Sequence, residues 1–298
     1  MMAELIFDFA ERQSKREKTE LVLMNIYNLP PIPKIMQETI RLLDDKNTRT
    51  IDITKLITKD QSLVSKILTI ANSPLYGLQR KVSSIDFAIL VLGFSEIRDI
   101  ISVLSMMESF KNKTDNYLDQ KQFWLHSFLT GSACKRIADD LQTGKGGEAF
   151  ISGFLHDMGI SVMHRFFHSN FVQVVNLVNN QGLSYQDAEF EIFGLDHQQV
   201  GYFLVDRWNF PNTLTAAILH HHAPENSGDN LDLTSVVHFG DCMTKYLEIG
   251  AFEWDKDIVL NEAVLKTLGF QSEEAAVEYI AGYKEMFESQ KEAARFLS

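Results

Sequence analysis

The residues best suited to chemistry in this chain are its histidines and a few aspartates, and their placement is uneven. His156 and Asp157 are adjacent, His220, His221 and His222 are consecutive, and His126, His197 and Asp241 each sit inside an apolar, helically spaced pattern. Imidazole nitrogen combined with carboxylate oxygen suits Fe, Mn, Zn or Ni. Two such cations held close together can activate water and stabilise a leaving oxygen at phosphorus. A site of that kind takes about six ligands from several elements. The sequence supplies enough of them.

Helical geometry selects which ones converge. His126 shares a face with Thr130, Ala133 and Ile137, and His197 shares one with Gly201, Leu204 and Trp208, where the glycine admits a close neighbouring helix. In the helix through Leu214, Ala217 and Ile218 the buried stripe continues to His221 and His222, while His220 falls to one side. Asp241 follows Val237 by four residues on an apolar face, and a buried carboxylate is costly unless paired or bound to a cation.

Each residue alone has a plainer explanation. An inward histidine is commonly a hydrogen-bonded core residue, and His156 with Asp157 could close a helix capped by Gly159. The set favours a metal. His126, His156, Asp157, His197, His221, His222 and Asp241, all facing inward in one half of the chain, would leave several polar groups unsatisfied without a shared cation. One or two transition-metal ions are expected there, with Asp157 the residue on which catalysis depends if the site is active.

The elements that must position these ligands read as helices throughout. Apolar residues recur at helical spacing, and no period-two run is bounded by hairpin dipeptides, so the expected fold is all-α. Asp60 is an expected N-cap for a helix with Leu63, Val64, Ile67, Leu68 and Ala71 on one face, ended by Asn72, Ser73 and Pro74. A second helix follows Gly93 and Phe94, carries Ile97, Ile100, Ile101 and Leu104, and should run to about Phe110. Polar residues Lys111 to Asn116 mark the expected boundary between two lobes, and His222 to Asp232 forms a loop within the second. From Ser272, the spacing of Ala276, Val277, Ile280, Tyr283 and Phe287 predicts a terminal helix, either docked on its own domain or free for a partner.

Composition narrows the function classes. A chain of 298 residues suggests about two globular units. With 28 Lys and Arg against 40 Asp and Glu the net charge is −12, which argues against nucleic acid and membrane surfaces as partners. The positive run Arg12, Lys15, Arg16 and Lys18 alternates with Glu11, Glu17 and Glu20, as on a solvated helix face. The longest apolar stretch, Phe87 to Phe94, is far short of the roughly 20 residues that cross a bilayer, and the N-terminal residues do not form a secretory signal. Two cysteines, Cys134 and Cys242, suit a reducing compartment, so a cytoplasmic location is expected.

Several segments resemble a known family. LPPIPKIMQETIRLL (Leu29 to Leu43), DQSLVSKILTIANSPLYG (Asp60 to Gly77) and AILVLGFSEIRDI (Ala88 to Ile100) resemble the N-terminal lobe of HDOD domains, bacterial signalling modules related to the HD phosphohydrolases. The likeness continues through FWLHS (Phe123 to Ser127), GFLHDMG (Gly153 to Gly159), DHQQVG (Asp196 to Gly201), AILHHH (Ala217 to His222) and HFGD (His238 to Asp241), and covers roughly Leu29 to Lys245. It implies a two-lobed helical bundle: an extension over 1–28, an N-terminal lobe over 29–115, an HD-like lobe over 116–245, and a helical extension over 246–298. The HD metal pattern falls on His126 and on His156 with Asp157. The longer pattern of the HD-GYP phosphodiesterases falls on His197, His221, His222 and Asp241.

Two departures from that catalytic pattern stand out. Ile160 follows Gly159 where the phosphodiesterases carry a lysine, and the residues after the paired histidines read Ala-Pro-Glu-Asn-Ser-Gly rather than a segment ending in Gly-Tyr-Pro. Both count against a cyclic-dinucleotide phosphodiesterase and leave the metal ligands in place. The resemblance therefore implies a regulatory module that works with another signalling protein, its metal site structural or vestigial. The alternative is a metal-dependent phosphohydrolase acting on a nucleotide or cyclic dinucleotide, in which Arg165 would assist with phosphate unless it is simply exposed on its helix. In the ANSPLYG segment, Pro74 and Gly77 should shape a corner and Tyr76 should pack between lobes.

Overall fold

The computed structural model describes residues 2–26, 34–45, 47–112 and 114–294, and contains no β-strand among them. The all-α expectation holds. The start of the first signature, residues 29–33, and the division placed at 28/29 lie outside the described residues.

Helix α1 (Met2–Asn25) is followed by the first lobe: α2 (Lys34–Asp44), α3 (Thr50–Ile57), α4 (Gln61–Ala71) and α5 (Ile85–Ser109). Asp60 caps α4 as expected, its carboxylate accepting from the Leu63 amide at 3.0 Å. Beyond α4, Asn72 stitches the corner together: its amide donates to the Leu68 and Val82 carbonyls and its oxygen accepts from the Val82 amide, at 2.7–2.8 Å. Tyr76 lies beneath the Lys135 ammonium, 5.8 Å from the ring centre, and Lys135 pairs with Glu96 at 3.1 Å, so the corner does meet the second lobe. Gly93, at φ 86° and ψ 169°, breaks α5 into two helical halves, a conformation costly for any residue with a Cβ. The second half buries Ile97, Ile100, Ile101 and Leu104.

The second lobe comprises α6 (Gln120–Asp140), α7 (Gly146–Leu155), α8 (Met158–Phe166), α9 (His168–Gln181), α10 (Tyr185–Phe193), α11 (His197–Arg207), α12 (Asn212–His220) and α13 (Leu231–Leu247). Small residues set how closely these helices pack. A Cβ on Gly153 of α7 would stand 2.5 Å from the Cys134 sulfur of α6, and one on Gly240 of α13 would stand 2.6 Å from the same atom. Cys134 is thus a spacer between three helices, two of which carry a candidate ligand while the third, α7, leads directly into one. Gly159 of α8 does the same against α11, where a Cβ would fall 1.9 Å from the His197 carbonyl oxygen. Gly159 is therefore inside a helix at a crossing, not the helix cap weighed from sequence.

Helices α14 (Glu262–Thr267), α15 (Glu273–Ala281) and α16 (Lys284–Ala293) complete the chain. The single terminal helix expected after Ser272 is two, divided at Gly282, and it docks on its own domain with Ala276, Ile280 and Phe287 fully buried. The N-terminal helix also docks. Thr19 donates to the Phe193 carbonyl at 2.8 Å and Lys15 to the Glu191 carbonyl at 2.8 Å, so the basic run of α1 is partly an interface with α10 and not only a solvated face. One buried apolar cluster runs from Ile53 and Ile101 through Phe110, Phe123 and Phe154 to Trp254, giving the two lobes a shared core. No helix is long and apolar enough to cross a membrane among the described residues.

Gly159→Ala forces α8 and α11 apart. It should cost at least about 2 kcal/mol of unfolding free energy, read as a fall in the urea midpoint. A midpoint unchanged from the parent protein would contradict the crossing described here.

Candidate metal centre

Six elements or junctions deliver the candidate ligands. His126 projects from the middle of α6, and His156 and Asp157 occupy the sharp break between α7 and α8. His197 opens α11, His221 and His222 follow α12, Asp241 lies on α13, and Asp255 closes a short 3-10 turn, Glu253–Asp255. All seven residues selected from sequence come together, in two adjoining groups: Asp157, His197, His221 and His222, and then His126, His156, Asp241 and Asp255. Every member but His222 is at most 2% exposed.

The histidine tautomers follow from the backbone. The Nδ1 of His126 faces the Gly250 carbonyl at 3.0 Å, that of His156 the Gly153 carbonyl at 2.7 Å, and that of His221 the Ile218 carbonyl at 2.8 Å. A carbonyl oxygen can only accept, so each Nδ1 carries a proton and each ring turns its Nε2 into the hollow, where the neutral form offers a lone pair. His126 Nε2 then meets His156 Nε2 at 3.2 Å, and His197 Nε2 meets His222 Nε2 at 3.2 Å. The facing lone pairs of His126 and His156 repel, and a cation between them reverses the sign; between His197 and His222 the contact is bridged by the proton that Glu189 keeps on His197.

The carboxylates fit the same reading. Asp157 turns one oxygen to each group: Oδ1 lies 3.5 Å from both His197 and His221, and Oδ2 lies 3.4 Å from His156. Asp255 also spans them, 3.4 Å from His126 and 3.3 Å from His222. Asp241 approaches His126 at 3.4 Å. Ligands about 2.1 Å from a shared tetrahedral ion stand about 3.4 Å apart, which is the spacing found. Both oxygens of Asp157, Asp241 and Asp255, and Nε2 of His221, are buried without a hydrogen-bond partner. These residues fit one or two metal ions.

Electrostatics points the same way. Burial drives the pKa of His156 down and that of His221 well down, which keeps both rings neutral. Burial, with the Asp255 and Asp157 charges, pushes Asp241 well above the usual carboxylate range. Burial acts against Asp157 too, but the surrounding imidazoles outweigh it and hold its pKa low. Burial also opposes charge on His197, yet Glu189 at 2.8 Å overrides it and lifts that pKa to about 10, so a cation taking Nε2 displaces a proton.

Two functional positions escaped the sequence reading. Asp255 lies beyond 245, in what reads as a C-terminal extension, and only its apolar neighbours Phe252 and Trp254 hint that the segment turns inward. Glu189 supports the site from behind. Its Oε2 accepts from the His197 amide and Nδ1, and its Oε1 accepts from the Trp254 indole at 2.8 Å, which also fixes the turn presenting Asp255. His238 is not a ligand: its two ring nitrogens face the carbonyls of His221 and Val259. Arg165 is exposed and donates to the Ser109 carbonyl at 2.8 Å, which ties it to the end of the first lobe and away from any phosphate at the centre.

Access to the centre is narrow. A pocket of about 230 Å³ opens on His197 and His222, with Tyr185, Trp254, Asp257 and Asn261 in its wall and no lysine or arginine. A wider cleft of about 910 Å³ lies between α5 and the start of α12, lined by Arg98, Asp99, Lys145, Trp208 and Phe210, and contains none of the candidate ligands.

Glu189→Gln should weaken metal binding about 10- to 100-fold, since it removes the charge that orients His197, and Asp255→Ala should weaken it at least as much. Both are read by competition with a chelator of known affinity. Because the ligands bind cations only when deprotonated, affinity should fall as pH is lowered from 8 to 6. A pH-independent affinity, or no effect of either substitution, would contradict the ligand set.

Comparison with known proteins covers the ligands from His126 to His222. The HDOD domain family matches residues 29–224. The crystal structure of an HDOD domain protein of unknown function from Geobacter sulfurreducens superposes with a TM-score of 0.77 at 24% identity, over 96% of this chain and 99% of that one. A protein from Shewanella amazonensis SB2B, provisionally named a phosphohydrolase, superposes with a TM-score of 0.70 at 21% identity, over 91% of this chain and 97% of that one. An uncharacterized protein of Treponema pallidum (strain Nichols) is 22% identical over 227 residues; the match spans 75% of this chain and 43% of that protein's length. The structural likenesses speak for the fold. The family match spans more than half of the sequence and carries the LHDMG and ANSPLYG signatures within it, and the chain belongs to the HDOD domain family.

Proposed function

We propose that this chain is a regulatory interaction module of bacterial signal transduction, working through another signalling protein, whose metal centre holds the HD-like lobe together without efficient turnover. The observation that carries this reading is the narrow access to the centre. Its ligands are almost wholly buried, and the one mouth described above is about 230 Å³, below the roughly 300–1,000 Å³ of typical small-molecule pockets. The lining of that mouth includes no lysine or arginine and presents Asp257. Ile160, at the position where HD-GYP enzymes carry lysine, is fully buried in the core, so α8 has no room there for a substrate-binding ammonium.

His126, His156, Asp157, His197, His221, His222, Asp241 and Asp255 would hold one or two ions of Fe, Mn, Ni or Zn. The metal would offset the mutual repulsion of three buried carboxylates and so stabilise the lobe. An ion present at 100 times its dissociation constant adds about 2.7 kcal/mol to folding stability. The two free, buried cysteines suit the reducing cytoplasm as the place of action.

A second reading, a metal-dependent phosphohydrolase of nucleotides or cyclic dinucleotides, draws on one specific feature. Asp157 and Asp255 each reach both ligand groups, as carboxylates bridging two ions would. The ions, when bound, would supply Lewis acidity toward a phosphoryl oxygen. In that case Asp157 is the residue whose loss ends catalysis.

The two readings separate in one experiment on untagged, metal-replete protein with a panel of phosphomonoesters, linear phosphodiesters and cyclic dinucleotides. The regulatory reading expects no metal-dependent turnover, together with a lower melting temperature for Asp157→Ala than for the parent. Turnover that requires metal and disappears in Asp157→Ala would overturn it.

A further inference from the structure

A second constellation lies away from the centre, where the lobes are joined. The segment between α5 and α6 carries Asp115, and its carboxylate is fixed from one side: Oδ1 accepts from the amides of Tyr117 and Leu118 at 2.8 and 3.0 Å. Oδ2 is turned to two imidazoles, His164 Nε2 at 2.9 Å and His168 Nε2 at 2.7 Å. His164 lies in the last turn of α8 and His168 opens α9, so the pair stands one turn apart across a helix junction. Their rings meet edge to face with centroids 5.2 Å apart, and Phe171 holds His164 from behind at 5.0 Å. Burial works against the Asp115 charge, but hydrogen bonds from His168, His164 and the two amides prevail and hold its pKa well below the usual range.

We infer that Asp115, His164 and His168 form a separate zinc-class cation site that bolts the interlobe segment to the α8–α9 junction. One carboxylate oxygen and two Nε2 atoms, all within 4.8 Å of one another, make a three-ligand set typical of zinc, and the exposed His168 side leaves a fourth position to water. Binding moves each ring proton from Nε2 to Nδ1, with no net loss. For His168 that proton faces solvent. For His164, whose Nδ1 is buried without a partner, it adds a cost, so this site should be weaker than the main centre. The consequence is mechanical: Asn112 already donates to Ser161 at 3.2 Å and Arg165 to Ser109 at 2.8 Å, and the cation adds a third tie between the joining segment and α8.

The test compares Zn2+ uptake by the untagged full chain and by His168→Gln, with metal supplied stoichiometrically and counted by calorimetry and elemental analysis. His168 is half-exposed, so the variant should fold as the parent does. The parent is expected to bind one more Zn2+ than the variant. Asp115→Asn, which keeps the oxygen facing the two amides, should lose the same equivalent. Equal stoichiometry in the parent and His168→Gln, or a difference seen only with zinc in large excess, would overturn the site. The main centre is intact in both proteins, so its own failure to load lowers both counts alike and leaves the difference readable.

Discussion

The second lobe is organised around one electrostatic constraint: imidazole lone pairs and carboxylates are packed face to face in a nearly buried hollow. Imidazole Nε2 atoms meet at 3.2 Å in two places, His126 with His156 and His197 with His222, and three carboxylates present six oxygens with no donor. Isolated burial of a carboxylate charge costs several kcal/mol, and none of these six oxygens has a hydrogen-bond partner. A cation is the one species that turns all these contacts favourable together. The Gly250, Gly153 and Ile218 carbonyls and the Glu189 carboxylate hold the rings so that they cannot rotate away from one another.

The rest of the fold serves that convergence. Ligands separated by more than a hundred residues meet because glycines at the helix crossings let backbones approach closely. Cys134 sits between Gly153 and Gly240, and this draws α6, α7 and α13 together, with His126 on α6, Asp241 on α13 and His156 directly after α7. Gly159 allows α8 to lie against the start of α11, which places Asp157 opposite His197. Glu189, Trp254 and Tyr185, with the last two rings stacked at 3.9 Å, carry the chain round to Asp255.

How much of this was readable beforehand depends on whether the signal was local. The all-helical class, the Asp60 cap and the inward faces of His126, His197 and Asp241 follow from spacing within single helices. Asp255 does not, because it stands in a three-residue turn with no periodicity and reaches the site only through tertiary packing of Phe252 and Trp254. Glu189 is hidden for a different reason: a glutamate on a helix reads as solvent-facing until the partner indole and imidazole that justify its burial are known. The cap considered for Gly159 has only a local basis, a glycine after a His-Asp pair, whereas its role is set by a helix about forty residues further along the chain. The break of the terminal helix at Gly282 was likewise masked by continuous apolar spacing.

Membership in the HDOD family and a nearly buried, ligand-rich hollow support the proposed regulatory role. The claim on which this rests is that imidazoles and carboxylates alone hold the metal, with Cys134 and Cys242 acting only as packing. X-ray absorption at the metal edge of protein purified without a tag tests it most directly. The account predicts a coordination shell of nitrogen and oxygen with the outer-shell signature of several imidazoles and no sulfur. Sulfur in that shell, or a folded protein that carries and accepts no transition metal, would contradict it.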